Sequence, residues 1–351
     1  MRNRNSLQIA LVLVMTTAGA AAGNPRGNSD GRFLTGVNIA GAEFAGQKIP
    51  GVADRDYFYP KPATIDYFSS KGMNVIRVPF RWERMQPRLN GDLDPSEYRR
   101  LADVVHRATA RRLFVILDVH NYAAYRGVPI GSQGVPVAAF ADFWKRLADK
   151  FKKEPRVGFG LMNEPKGLPT ETWLAAANAA LAQIRAAGAR NLVLVPGNGW
   201  TGAHSWFSNG YGTPNAAVML GVKDPADNYV FELHQYLDSN YSGTHPECKS
   251  ERVGVTTLTA VTDWLRQHRK RGFLGEFGAG RDETCMAALD NMLGFIDKNR
   301  DVWLGWTYWA AGAWPPRYFT SVQPVNGVDP PQMEVLLKHI AGAPKHRAAA
   351  P

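Results

Sequence analysis

The sequence is poor in features that would divide, anchor or cross-link a chain. Beyond the N-terminus there is no further apolar run of membrane-spanning length, no Ser/Thr/Pro-rich linker and no internal repeat. The missing linker argues against an appended binding module, and the missing second apolar run against a membrane-embedded body. No Gly-x-Gly-x-x-Gly or Walker loop opens a helix, which argues against a doubly wound nucleotide-binding sheet. Cysteine is scarce, with only Cys248 and Cys285. In an exported chain an even pair closes one disulfide, and otherwise the two remain buried thiols. Positive charge is in excess, with a net charge of +10, yet it does not gather. The densest groups, Arg99-Arg100, Lys152-Lys153 and Arg269-Lys270-Arg271, fall in helix-like segments or at their ends. They read as solvated faces, so neither nucleic acid nor a membrane surface is expected as a partner.

What is present begins with MRNRNSLQIALVLVMTTAGAAAG. Arg2 and Arg4 precede a short apolar run from Leu7 to Met15, and small residues suited to cleavage follow. Residues 1–22 read as a secretory signal peptide, which leaves residues 23–351 as an extracellular, soluble domain. Its length exceeds an ordinary domain but suits one (β/α)₈ barrel. Ten tryptophans stand out. Indole faces are what sugar rings stack on, although any single Trp is core by default.

Eight short apolar runs rich in Val, Ile, Leu and Phe recur along the chain. They are FLTGVNIAG (33–41), MNVIRVPF (73–80), LFVILDVHNY (113–122), VGFGLMNEP (157–165), NLVLVPGNGW (191–200), YVFELHQY (229–236), GFLGEFG (272–278) and VWLGWTYWA (302–310). Such runs suit parallel strands buried on both faces. Helical patterns separate them at 62–72, 95–112, 137–154, 172–188, 256–272 and 285–300, and 334–342 is the last helix. Eight alternations with right-handed crossovers predict a TIM barrel, whose active site lies at the C-terminal strand ends.

The residues at those ends form one chemically coherent set: Asn38, Arg77, His120 with Asn121, Asn163 with Glu164, Asn198, His234 with Tyr236, Glu276 and Trp309. Glu164 and Glu276 close the fourth and seventh strands and should converge on the barrel mouth. Two facing carboxylates are what glycoside hydrolysis needs, one protonated to serve the leaving oxygen and one ionised to attack. A separation of about 5–5.5 Å retains configuration, whereas about 6.5–9.5 Å leaves room for a water and inverts it. Arg77 near Glu276 would favour its charged form, Tyr236 could donate to the same carboxylate, and Asn163 could hold a sugar 2-hydroxyl. Taken singly, each residue has a plainer reading as a loop charge, a buried ion-pair partner or core.

The stretches IRVPFRWERMQP, ILDVHNY, GLMNEPKG, HQYLDSNYSGTH, LGEFG and GWTYWAAG together resemble glycoside hydrolase family 5. HQYLDSNYSGTH with GVNIAGAEF is similar to the subfamily of endo-acting cellulases found in fungi and bacteria. The resemblance implies a retaining endo-β-1,4-glucanase with Glu164 as acid/base and Glu276 as nucleophile. It places Arg77, His120, Asn163, His234, Tyr236 and Trp309 at the remaining shared positions, with Trp309 under the sugar at the point of cleavage. It also supports pairing Cys248 with Cys285. Asn38, Trp200 and, more distantly, Trp206 are candidates for the sugar cleft. The expected partner is a polysaccharide, cellulose or a related β-glucan, acted on by a monomer without cofactor or metal.

The alternative within the class is a hydrolase of mannan, xyloglucan or mixed-linkage glucan, because this fold changes substrate through its loops. A metal-dependent hydrolase using Asp118, His120 and His234 is a different class. It lacks further evident ligands, because His106, His204, His245 and His268 lie in helices or loops. A non-catalytic sugar-binding barrel would be missing a carboxylate, and neither is missing.

Overall fold

In a computed structural model describing residues 31–340, eight parallel strands close into a barrel. They are β1 (Leu34–Ala40), β2 (Val75–Phe80), β3 (Phe114–Val119), β4 (Val157–Gly160), β5 (Val193–Pro196), β6 (Tyr229–His234), β7 (Gly272–Glu276) and β8 (Trp303–Gly312). They pair in chain order, and β8 closes on β1 with Val37 opposite Tyr308. The (β/α)₈ expectation holds. The leader expected at residues 1–22 lies outside the described residues.

Helices α1 (Pro62–Ser70), α2 (Pro95–Ala110), α3 (Val137–Phe151), α4 (Thr170–Ala186), α5 (Val253–Gln267), α6 (Glu283–Lys298) and α7 (Pro331–His339) surround the barrel. Asp94 starts α2 by accepting from the backbone N–H groups of Ser96 and Glu97, and Asp282 starts α6 by accepting from that of Cys285. These caps satisfy donors that a first helical turn leaves unpaired. The expected eightfold alternation fails at one crossover. Between β5 and β6 there is only a turn of helix, Asn215–Val218, and a 3₁₀ turn, Met219–Gly221. That segment carries Gly197, Gly199, Gly202, Gly210, Gly212 and Gly221, with prolines at 214 and 225. Flexible glycines and missing backbone donors leave no run long enough for a full helix.

Two layers fill the barrel. Leu34, Val75, Phe114, Ile116, Leu192, Leu194, Val230, Phe273 and Leu304 form an apolar cluster. Four positions toward the strand C-termini are polar and fully buried: Asn38, Arg77, Asp118 and Glu232. Side chains two apart share a strand face, so Val75, Ile116 and Val230 lie directly below Arg77, Asp118 and Glu232. The barrel is therefore sealed at one end by hydrocarbon and charged toward the other.

A disulfide joins Cys248, in the loop after β6, to Cys285 in the first turn of α6, with a Cα–Cα separation of 5.1 Å.

Candidate active site

Arg77 organises the charged layer. Its guanidinium donates to Glu276 Oε1 at 2.8 Å, Asn38 Oδ1 at 2.9 Å and Asn163 Oδ1 at 2.9 Å. It also lies within 2.8 Å of Glu232 and 3.0 Å of Asp118. With three carboxylates around it, its pKa rises despite the burial that opposes charge. The fork geometry of arginine suits this many acceptors in one plane.

Glu276 ends β7 and is almost wholly buried. Its Oε1 accepts from Arg77 and its Oε2 from the Tyr236 hydroxyl at 2.9 Å. Burial pushes its carboxyl up, while His234 and Arg77 pull it back toward the charged form. Gly275 beside it has no room for a side chain, because a Cβ there would lie 2.2 Å from Glu232 Oε1. Glycine at 275 is what lets the buried carboxylate of Glu232 approach β7.

Glu164 lies past the hydrogen-bonded end of β4, with φ at 45°. This left-handed backbone is uncommon outside glycine and costs on the order of 1 kcal/mol. It turns the residue before Pro165 out of the strand direction, leaving the side chain partly exposed where Glu276 is not. His234 stands between the two acids. Its Nδ1 is 2.9 Å from Glu164 Oε1 and 3.7 Å from Glu276 Oε2, and its Nε2 is 3.4 Å from Glu232 Oε1. Burial opposes its charge, but the Glu276, Glu164 and Glu232 carboxylates outweigh it and push its pKa up to about 10. Ligand-capable atoms of Glu164, His234 and Glu276 all lie within 4.8 Å of one another.

The residues expected at the site converge, but not all face the cleft. Asn38 is completely buried, donating to the carbonyls of Gly275, Thr307 and Tyr308 and accepting from Arg77. It braces Arg77 from the neighbouring strand and is closed off from a ligand by the strands it ties together. Asn163 spends its oxygen on Arg77, and its Nδ2 has no partner among the described residues. His120 holds Asp118 Oδ2 through Nδ1 at 2.8 Å and Tyr122 through Nε2 at 3.3 Å. Its ring stacks on Trp309 at 5.6 Å and 16°. Trp309 donates from Nε1 to Tyr318, and its peptide bond to Ala310 is cis.

Trp200 is 39% exposed on one wall of the cleft, with its ring edge against Tyr211. Trp206 belongs instead to the core, packed against Phe231 and Trp264, so it does not serve the cleft. Asn198 is also buried, pinning loop carbonyls at Leu168 and Tyr211. The Asp118–His120–His234 ligand set does not assemble. Asp118 is spent on Arg77 and His120, and the cluster that forms among the described residues is Glu164–His234–Glu276.

Glu232, Tyr122 and Glu43 were not picked out in the sequence. Asp-Val-His (118–120) and Glu-Leu-His (232–234) each place an acid and a histidine on one strand face, a spacing that could have found Glu232. Glu43 carried no such signal. Its Oε2 accepts from the Gly41 N–H at 2.7 Å, and burial pushes its carboxyl up to about 8.

The family Cellulase (glycosyl hydrolase family 5) matches residues 37–312. Endo-beta-1,4-glucanase B of Emericella nidulans is 36% identical over 92% of the chain and 96% of that protein. Among solved structures, the endo-beta-1,4-glucanase Xac0029 of Xanthomonas axonopodis pv. citri is 48% identical, with a TM-score of 0.86 over 88% of the chain and 98% of that protein. Endoglucanase Cel5A of Pseudomonas stutzeri, solved with cellobiose, is 36% identical, with a TM-score of 0.82 over 91% and 95%.

Proposed function

The chain belongs to glycosyl hydrolase family 5, the cellulase family, and from that premise we propose that it is a retaining endo-β-1,4-glucanase with Glu276 as nucleophile and Glu164 as acid/base. The observation that carries this reading is the closeness of the two carboxylates, whose ligand-capable oxygens lie within 4.8 Å of each other. So close an approach of one oxygen from each acid suits direct attack on the anomeric carbon.

In the first step a Glu276 oxygen attacks the anomeric carbon and the glycosidic C–O bond breaks. Glu164 gives its proton to the departing oxygen. Arg77 and Tyr236 each hold one Glu276 oxygen and fix its orientation. In the second step Glu164 takes a proton from water, which attacks the glycosyl ester and frees Glu276. His234, hydrogen-bonded to Glu164 at 2.9 Å, steadies that carboxyl in both states. The unpaired Asn163 Nδ2 is the donor available for a sugar 2-hydroxyl. Trp309, stacked on His120, offers an indole face to the sugar undergoing cleavage. β-1,4-Glucan as substrate is supported by the fungal and bacterial relatives, which are endo-β-1,4-glucanases. Export is supported by the signal-like residues 1–22 and by the disulfide.

The roles separate by leaving group. Glu164→Gln should cut hydrolysis of cello-oligosaccharides by about 10²–10⁴-fold, and spare formation of the glycosyl-enzyme from dinitrophenyl β-cellobioside, which needs no proton donor. Azide should then rescue turnover by replacing water as the acceptor. Equal losses on both substrates would reverse the assignment.

A further inference from the structure

A cavity of about 1090 Å³ opens from the barrel mouth on the Glu164 side. Its walls come from Gly46 after β1 and from the segments after β2, β3, β4 and β5; Lys166, two residues past Glu164, lines it, while Glu164, Glu276, Tyr236 and Trp309 do not. If Glu164 protonates the leaving oxygen, this cavity receives the departing end of the chain, so the inference rests on that reading.

Three cations line the cavity: Arg81, Arg126 and Lys166. None of them is within ion-pair distance of a carboxylate among the described residues. Arg81 donates to the backbone carbonyls of Glu43 and His120, and Arg126 to that of Pro87, so their charge is left uncompensated. Lys166 lies over two rings, 5.3 Å from the centre of Tyr122 and 5.1 Å from that of Trp200. This sets the ammonium over the exposed indole, within reach of the substituents of a sugar bound at Trp200. The one acid lining the cavity, Glu83, is buried and already committed, accepting from Asn121 at 2.7 Å and from the Arg126 N–H at 2.6 Å. Glu43 behind Arg81, its carboxyl pushed up to about 8, adds little negative charge near neutrality.

A cleft built only for a neutral glucan has no use for three uncompensated cations around an aromatic platform. We propose that the leaving-group half of the cleft is selective for a β-glucan chain bearing carboxylate groups, which Lys166, Arg126 and Arg81 attract while Trp200 stacks the sugar.

The test compares kcat/KM on carboxymethyl cellulose with that on hydroxyethyl cellulose, which shares the backbone and a solubilising substituent but has no charge. C6-oxidised cellulose forms a third arm, distinguishing a carboxylate on the backbone sugar from one on a substituent. Wild type should favour a carboxylated polymer, and raising NaCl from about 20 mM to about 500 mM should erase that preference. Lys166→Met should lower the charged-to-neutral ratio by about two- to five-fold and Arg126→Glu by more, whereas Lys166→Arg should retain it. A ratio that is insensitive to salt and equal in all three variants overturns the proposal. Cellopentaose hydrolysis by wild type separates the two layers of inference. If it is cleaved while the ratio is flat, only charge selectivity fails; if it is not cleaved, the glucanase reading fails.

Discussion

Two strands facing each other across the barrel end in almost the same words, Asp118-Val-His120 on β3 and Glu232-Leu-His234 on β6. Each places a buried acid two residues before a buried histidine on the same face. The two histidines nevertheless sit at opposite ends of the titration scale. Burial pushes His120 down to about 3, with Arg77, Arg81 and His234 also opposing charge. Its stable form is the neutral ring, with Nδ1–H given to Asp118 and Nε2 free to accept from Tyr122. His234 is as deeply buried, but Glu276, Glu164 and Glu232 keep it charged. The acid on the same strand does not decide the outcome. Asp118 is itself lifted to about 7 by burial, whereas Arg77 and His234 hold Glu232 low. Burial sets the charge of His120, and carboxylates gathered from several strands set that of His234, which divides the mouth into a neutral sugar-facing side and a charged catalytic side.

The largest break in this comparison comes from Glu276→Gln. Turnover of every glycoside should fall by more than about 10⁴-fold with the fold intact. In the same variant the His234 imidazole resonances should titrate at lower pH than in wild type, because one of its three carboxylates is gone, while His120 stays neutral. A variant that retains substantial glycosidase activity removes Glu276 from its role.

Next in size is Arg77→Met, which leaves Asp118, Glu232 and Glu276 without their shared counter-charge. Truncating one partner of a buried ionic group costs about 3–5 kcal/mol, so urea unfolding should shift by that order. Part of the loss should return at low pH, where the stranded carboxylates protonate. A loss that does not vary with pH would mean Arg77 matters through packing rather than charge.

The smallest effect is on stability against pH, and here the two histidines should part. The folded pKa of His234 is raised to about 10, so its contribution is complete below its ordinary 6.5 and is lost as pH rises toward 10. That of His120 is lowered to about 3, so its contribution is complete above 6.5 and is lost as pH falls toward 3. Melting temperatures from pH 4 to 10 should show His234→Gln flattening the alkaline side of the wild-type curve and His120→Gln the acid side. Both variants flattening the same side would contradict the opposed charge states.

Much of this was legible in the sequence because it is local. The eight apolar runs, the polar residues at their ends and the pairing of Glu164 with Glu276 follow from periodicity and the rule that barrel sites lie at strand C-termini. What was not legible depends on packing. Asn38 reads like any polar strand end, yet the closure of β8 on β1 buries it beside Arg77. Trp200 and Trp206 lie in one Trp-rich loop, but one is exposed and the other packs under Phe231 and Trp264. The strand–helix alternation was expected eight times, yet the crossover between β5 and β6 holds only short turns. The left-handed backbone at Glu164 has no signature in its composition, although Pro165 after it restricts the chain.

The central claim is that Glu276 attacks the sugar directly while Glu164 serves the leaving oxygen. Proton NMR of the first seconds of cellopentaose hydrolysis tests it, because the anomer released precedes mutarotation. The account predicts that the new reducing end appears as the β-anomer and only later equilibrates. Initial release of the α-anomer would mean inversion through an intervening water, and would contradict it.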